Sequence, residues 1–525
     1  MKKYVLGAMF VGICFIGVSV SGVSADVKYE PQESPVEACD HVDTQKQKED
    51  TGSETMQDIF DSASDETMPN KLTGVNEAVN DSIDGVDAEK PAEDDYEFIW
   101  SPTVPNIKQD ASPWFNPVTT PAFEWKNMTG NWWGARDKLK KDGITVLSSY
   151  VGDMNSNVVG GRMKGARYNH SIGADFNADL EKILQLKGLQ FHVSGIYRAG
   201  RNLSSDVIGN TFTVSSIFGS EQVRLYSLYF EQDMFDEKVN VKVGRLAAGD
   251  DFASSPLYWI FVSNAIDGNP IAVPINFPFS TYPTATWGAR AKVHVTKNIQ
   301  SLSGIYNGDP NVGRLSAHGM DFSLRLHRGI LFLQELSYNP NTEKGAKGLP
   351  GHYKLCGYWH TGSAKDFYRD VKGGSYALSS LPAAEHKGHY GMYIHVDQMI
   401  YREGGPHNYQ GLYPFAVLTL APGDTNKFPL FIDAGVIYRG LIPSRDHDLA
   451  GVNIAYGKWS SDLRDHDRDI GLTPRAYEIS IDFTYRVMVN DWMFVQPDAQ
   501  FIIRPGGTGE TPNALALTFR VGVTF

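Results

Sequence analysis

The segment Ala476-Tyr477-Glu478-Ile479-Ser480-Ile481-Asp482-Phe483-Thr484-Tyr485-Arg486-Val487-Met488-Val489 alternates with period two. On an extended chain, Tyr477, Ile479, Ile481, Phe483, Tyr485, Val487 and Val489 share one face. Glu478, Ser480, Asp482, Thr484 and Arg486 share the other. One such strand fits a soluble sandwich as well as a membrane barrel; length and repetition separate the two.

The pattern recurs. Ile172, Ala174, Phe176, Ala178 and Leu180 oppose Gly173, Asp175, Asn177 and Asp179. Trp287, Ala289, Ala291, Val293 and Val295 oppose Arg290, Lys292 and His294. Phe322, Leu324 and Leu326 oppose Asp321, Ser323, Arg325 and His327, and Leu515 to Phe525 alternates to the last residue. Strands of about 10 residues, apolar on one face and charged on the other, are what a lipid-embedded barrel with a wet lumen requires. The fold class is therefore all-β, a 16-stranded antiparallel transmembrane β-barrel over 143–525.

Strands are predicted near 143–152, 170–182, 188–198, 222–233, 238–247, 285–297, 299–306, 318–328, 329–339, 352–364, 391–403, 411–420, 430–440, 476–489, 492–504 and 515–525. Met234–Glu237, Arg328-Gly329 and Asn490-Asp491 then read as tight turns, and 153–169, 199–221, 248–284 and 441–475 as long loops at the opposite end. Segment 365–390 breaks this alternation: it is long but falls on the tight-turn side, as a periplasmic excursion or a sign of a missed strand pair.

Ahead of the barrel the composition changes. Lys2 and Lys3, the apolar run Val5–Val20 and Val23-Ser24-Ala25 read as a signal peptide, 1–25, and hence as export. Cys39 and Cys356 are then the remaining cysteines, too few to define a disulfide framework. Residues 26–95 hold 21 Asp and Glu against 5 Lys, a net charge of −16, and read as a disordered acidic spacer. The whole chain carries −13, so 96–525 is close to neutral. Residues 96–142 read as a proline-rich linker ending in a short periplasmic helix, Asn131–Lys141, before Gly143. Mean hydropathy is −0.30, which excludes a polytopic helical membrane protein.

A barrel of about 16 strands leaves an aqueous channel. Its filter is expected in the constriction loop 249–283, too long to be a mere connection. That loop holds Asp250 and Asp251 beside seven aromatics: Phe252, Tyr258, Trp259, Phe261, Phe277, Phe279 and Tyr282. Flat rings suit the C–H faces of sugars; the plain alternative is that they only pack the loop to the wall. Candidate pore-lining charges are Arg290, Lys292, Arg325, Asp482, Arg486, Asp498 and Arg520, each alternatively a structural partner within the lumen. Arg245 stands on the apolar face of Val239, Val241 and Val243, so it must lie beyond the lipid band or after a bulge.

Trp125–Leu139, Val243–Phe252, Ala265–Pro270, Tyr282–Arg290, Gly304–Pro310, Asp397–Glu403 and Pro505–Gly509 occur in the order of, and resemble, the signatures of OprB-type carbohydrate-selective porins. The resemblance covers about 122–525. It implies a 16-stranded outer-membrane channel for passive sugar entry, without cofactor or metal. Phe525, ending an apolar face, resembles the signal read by the barrel assembly machinery. Outer-membrane lipid and lipopolysaccharide are the expected surroundings, and a homo-oligomer would bury part of the apolar band.

Two alternatives stand beside a sugar channel: a general or ion-selective porin, and a surface or structural barrel tethered by its acidic arm. No basic patch with interleaved aromatics points to nucleic acid. Asp446-His447-Asp448 and Asp465-His466-Asp467-Arg468-Asp469, expected within one outer loop, are the nearest approach to an enzyme site. Neither has zinc-ligand spacing or a nucleophile motif, so no catalytic residue is assigned.

Overall fold

The computed structural model describes residues 127–342, 346–405 and 408–525. The expected signal peptide, acidic spacer and most of the linker lie outside the described residues. After a helical turn at Trp132–Gly134 comes helix α1, Ala135–Lys141. Asn131 assists its start, its Oδ1 accepting from the Asp137 N–H at 3.1 Å.

Sixteen antiparallel strands then follow, each hydrogen-bonded to its chain neighbours. They are β1 (Ile144–Val159), β2 (Gly165–Asp179), β3 (Leu189–Gly200), β4 (Gln222–Met234), β5 (Val239–Leu246), β6 (Thr286–His294), β7 (Ile299–Asn307) and β8 (Ile330–Tyr338). The second half is β9 (Gly351–Asp370), β10 (Ala383–Gln398, resuming at Tyr401–Arg402), β11 (Gly411–Leu420), β12 (Leu430–Arg439), β13 (Leu449–Lys458), β14 (Tyr477–Asn490), β15 (Met493–Ile503) and β16 (Ala514–Thr524). β16 pairs with β1, from Ser149↔Thr524 to Val159↔Leu515, and the sheet closes on itself.

Burial distinguishes barrel from sandwich. On β14 the polar Glu478, Ser480 and Asp482 are 0% exposed, while Phe483 next to Asp482 is 51% exposed. On β16 Arg520 is buried and Phe519 half exposed. Apolar side chains outside and charges inside invert the soluble arrangement and match a wall facing lipid.

The strand count agrees with the sequence reading, but two of its members differ. β13 lies within the stretch 441–475, which the sequence reads as a long loop. Its inward positions are Leu449, Gly451, Asn453, Ala455 and Gly457, without charge. The reason is steric: a Cβ on Gly457 would lie 2.4 Å from the Phe212 ring, so this part of the wall is small because loop aromatics press on it.

Segment 318–328, expected as a strand, is instead an extended strap across the outside of the wall. Its ends bond backbone to backbone, His318 O accepting from the Leu225 N–H and Leu326–Arg328 forming a helical turn, but its middle carbonyls are taken by side chains. Arg245 Nη1 donates to Asp321 O at 2.5 Å, Trp287 Nε1 to Phe322 O at 2.8 Å and Asn307 Nδ2 to Ser323 O at 3.4 Å. These donors form one outward row across β5, β6 and β7, where Arg245 pairs with Trp287. Arg245 thus has its place on the apolar face: Phe322 covers its guanidinium at 5.1 Å, and it also donates to Ala285 O. Gly244 before it has φ +149°, and a Cβ there would meet Leu228 O at 2.4 Å.

One strand missed and one added cancel in the count, yet every connection between them is assigned to the wrong end. Segment 365–390 is therefore no periplasmic excursion. β9 and β10 run on through it and turn at the same end as the long loops. The strand β13 also separates the two Asp/His clusters: 446–448 precedes it and 465–469 follows it, about 30 Å away along a ten-residue strand. No rim site joins them.

The loops hold helices beyond the one expected: α2 (Leu180–Leu184), α3 (Ala272–Asn276), α4 (Tyr376–Ser379) and α5 (Ser461–Asp469). Among the described residues no helix is long and apolar enough to cross a membrane, and none of their His, Cys, Asp and Glu groups could hold a metal ion.

Candidate functional site: the inward loop and its vestibule

Between β5 and β6 the chain leaves the wall and folds into the lumen. Its aromatics form two buried clusters. Tyr258 and Phe261 pack with Tyr413, Phe415, Phe431 and Leu449 on β11–β13. Phe252, Phe277 and Phe279 pack with Leu302, Tyr306, Leu333, Tyr358 and Tyr393 on β7–β10. Phe277 stacks on Tyr358 with centroids 3.9 Å apart. Five of the seven loop aromatics thus hold the loop to the wall, and only Trp259 and Tyr282 line open space.

Polar groups complete the anchoring. Tyr258 OH meets His395 Nδ1 at 2.5 Å, and His395 Nε2 meets Asp397 at 2.6 Å. The Ser263 N–H donates to Asp482 at 3.1 Å. Arg486 donates to Trp259 O at 2.5 Å and to Gln496 at 2.8 Å. Arg520 holds Asp153 through two hydrogen bonds, 2.7 and 2.9 Å, and reaches Asp267 of the loop at 3.1 Å. Asp498 lies beside Asp482 and accepts from Gln500 at 3.1 Å. The four expected wall charges Asp482, Arg486, Asp498 and Arg520 therefore lie beneath the loop.

On the far wall, Asp251 bridges Arg290 at 2.9 Å and Lys242 at 3.1 Å. Burial opposes the Asp251 charge, but these two cations overcome it and hold the carboxyl below its usual range. Asp250 next to it receives the Tyr226 hydroxyl. Burial pushes Asp250 up to about 7, against the pull of Tyr226. Lys292 follows Arg290 on the same face of β6 and is half buried. Arg325 is not in the lumen wall: it lies on the strap, bound to Asp309 at 3.1 Å and Asp321 at 3.3 Å.

With the loop tied to β7–β16, the open space lies beside β3 and β4. A cavity of about 400 Å³ opens there, roofed by residues 216–220 with Gly313 and Leu315. Arg198, Arg224, Trp259, Asn264, Asp267 and Asn269 line it. Arg198 is spent on the carbonyls of Ser216 and Ile217, at 2.7 and 2.5 Å, and lies 4.9 Å from the Tyr282 ring. Asp267 Oδ1 has no hydrogen-bond partner. Arg224, Asn264, Asp267 and Asn269 were absent from the expected site. Arg224 had a readable sign, an inward position between Val223 and Leu225, whereas Asn264 to Asn269 acquire their place only through the loop's course.

A closed barrel with an apolar exterior, a charged lumen and an inward constriction loop is a porin. The chain belongs to the carbohydrate-selective porin, OprB family, which it matches over residues 163–525. It is 30% identical over 427 residues to Porin B of Pseudomonas aeruginosa, covering 77% of this chain and 92% of that protein. It is 22% identical over 419 residues to the putative porin QuiX of Acinetobacter baylyi, covering 74% and 90%. The high-pH structure of Pseudomonas putida OprB superimposes with a TM-score of 0.73 at 28% identity, covering 77% of this chain and all of that one. The protein is an outer-membrane sugar channel.

Proposed function

We propose that sugar enters through the vestibule between the inward loop and β3–β4 and docks there before crossing the constriction. The carrying observation is the cavity of about 400 Å³ in which the Trp259 ring stands beside polar groups. Its size falls in the range of small-molecule sites, about 300–1,000 Å³. Trp259 would stack on the C–H face of the sugar. The side-chain amide of Asn264 would donate to its oxygens, and the unpartnered Asp267 oxygen would accept from a hydroxyl. Passage needs no energy source; contacts of this modest strength let the solute leave as well as enter.

The same reading includes a leader cleaved after Ala25, recognition of β16 by the barrel assembly machinery, and homo-oligomer contacts through the apolar band.

Single-channel current in a planar bilayer tests the site. Sugar should reduce the current saturably. Trp259→Ala should raise the half-blocking concentration about tenfold, equivalent to about 1.4 kcal/mol. Block unchanged in Trp259→Ala and Asp267→Asn would remove sugar from this cavity. Current indifferent to every sugar tried would favour a general porin that only sieves by size.

A further inference from the structure

The strap presents an amphipathic face that the channel does not use. From Arg314 to Arg328 it carries three Arg and two His against one Asp. Met320, Phe322, Leu324 and Leu326 are 58%, 42%, 59% and 46% exposed. Segment 318–328 lies outside the wall at the end of the long loops, above the outward residues Val243 and Ile305. Long loops mark the external side of such barrels. Arg314 pairs with Asp321 yet keeps nearly half of its side-chain surface open, as does Arg328, which reaches its carboxylate, Asp309, only at 3.8 Å.

We propose that the strap is a binding site for the lipid A part of lipopolysaccharide, with acyl chains over Met320, Phe322, Leu324 and Leu326 and phosphates on Arg314 and Arg328. Several things select this occupant. The patch faces the outer leaflet, where the lipid is lipid A, an amphiphile with several acyl chains and two phosphates. A neutral apolar patch would serve any lipid, whereas clustered guanidiniums complement phosphate by paired hydrogen bonds. The strap is also held rigidly enough to be a site, since consecutive carbonyls at 321, 322 and 323 are bonded to the wall. The proposal rests on the external placement of the long loops and not on the sugar site.

The full chain, refolded free of lipopolysaccharide, would be titrated with hexa-acyl bisphosphoryl lipid A and followed by native mass spectrometry. One lipid A per barrel is expected, with at least tenfold weaker binding in the Arg314→Gln, Arg328→Gln double variant and in Leu324→Ser. Single-channel conductance of these variants should equal that of the parent, which separates lost lipid from a misfolded barrel. Equal affinity for dephosphorylated lipid A, or unchanged binding in the variants, would overturn the proposal. So would rapid disulfide dimers of Leu324→Cys in lipid bilayers, which would give the patch to a second copy of the chain.

Discussion

Arg520 shows how much one side chain does when it is shut away from water. It is buried, bonded twice to Asp153 on β1, once to the loop through Asp267, and placed near Phe261 O. Replacing it with Met leaves two carboxylates buried without their cation, which costs about 3–5 kcal/mol. Urea unfolding should show that loss, with Arg520→Lys in between because an ammonium cannot bond both acids as the planar fork does. Asp250 carries the clearest pH signal. Its folded value, about 7, stands above the unfolded carboxylate value of about 4, so folding favours the protonated form. Its contribution to stability is complete below about pH 4 and falls as pH rises toward 7. Across that upper edge the lumen gains a negative charge. The channel should become more cation-selective between about pH 6 and 8, and reversal potentials of Asp250→Asn should lose this dependence.

At the level of elements, what a period-two pattern reports is which face a residue takes, not what its backbone bonds. The strap alternates as faithfully as β14 because its outward residues are exposed and its inward ones meet the wall. Its carbonyls are satisfied by Arg245, Trp287 and Asn307, a partnership that no local pattern encodes. β13 hides its pattern for the opposite reason. It is a true strand whose inner face lost its charges to a loop far away in sequence. The out-of-place segment at 365–390 was the legible trace of both errors. The constriction loop was found from its length and aromatics, but which rings pack and which face the solute depends on its path across the lumen. Arg245→Met should test the strap. Losing charged donors to two carbonyls should destabilise by about 1.5–3 kcal/mol, with faster hydrogen exchange at 318–326 while the strands stay protected.

For the barrel as a whole, the loop acts as an internal brace as well as a filter, since it contacts strands from β7 to β16. Replacing 254–279 by a short glycine linker should leave a barrel of larger conductance, without sugar block and with a lower urea midpoint. The ring itself has another consequence, drawn from the pairing of β16 with β1. Every strand has two neighbours only when the last has met the first, so no shorter version of the wall is free of open edges. A chain interrupted anywhere before β16 would expose two unpaired ladders instead of a slightly smaller pore. Synthesis errors in this molecule are thus self-announcing: truncated products cannot pass as finished ones, and proteolysis in transit can recognise them by their edges alone.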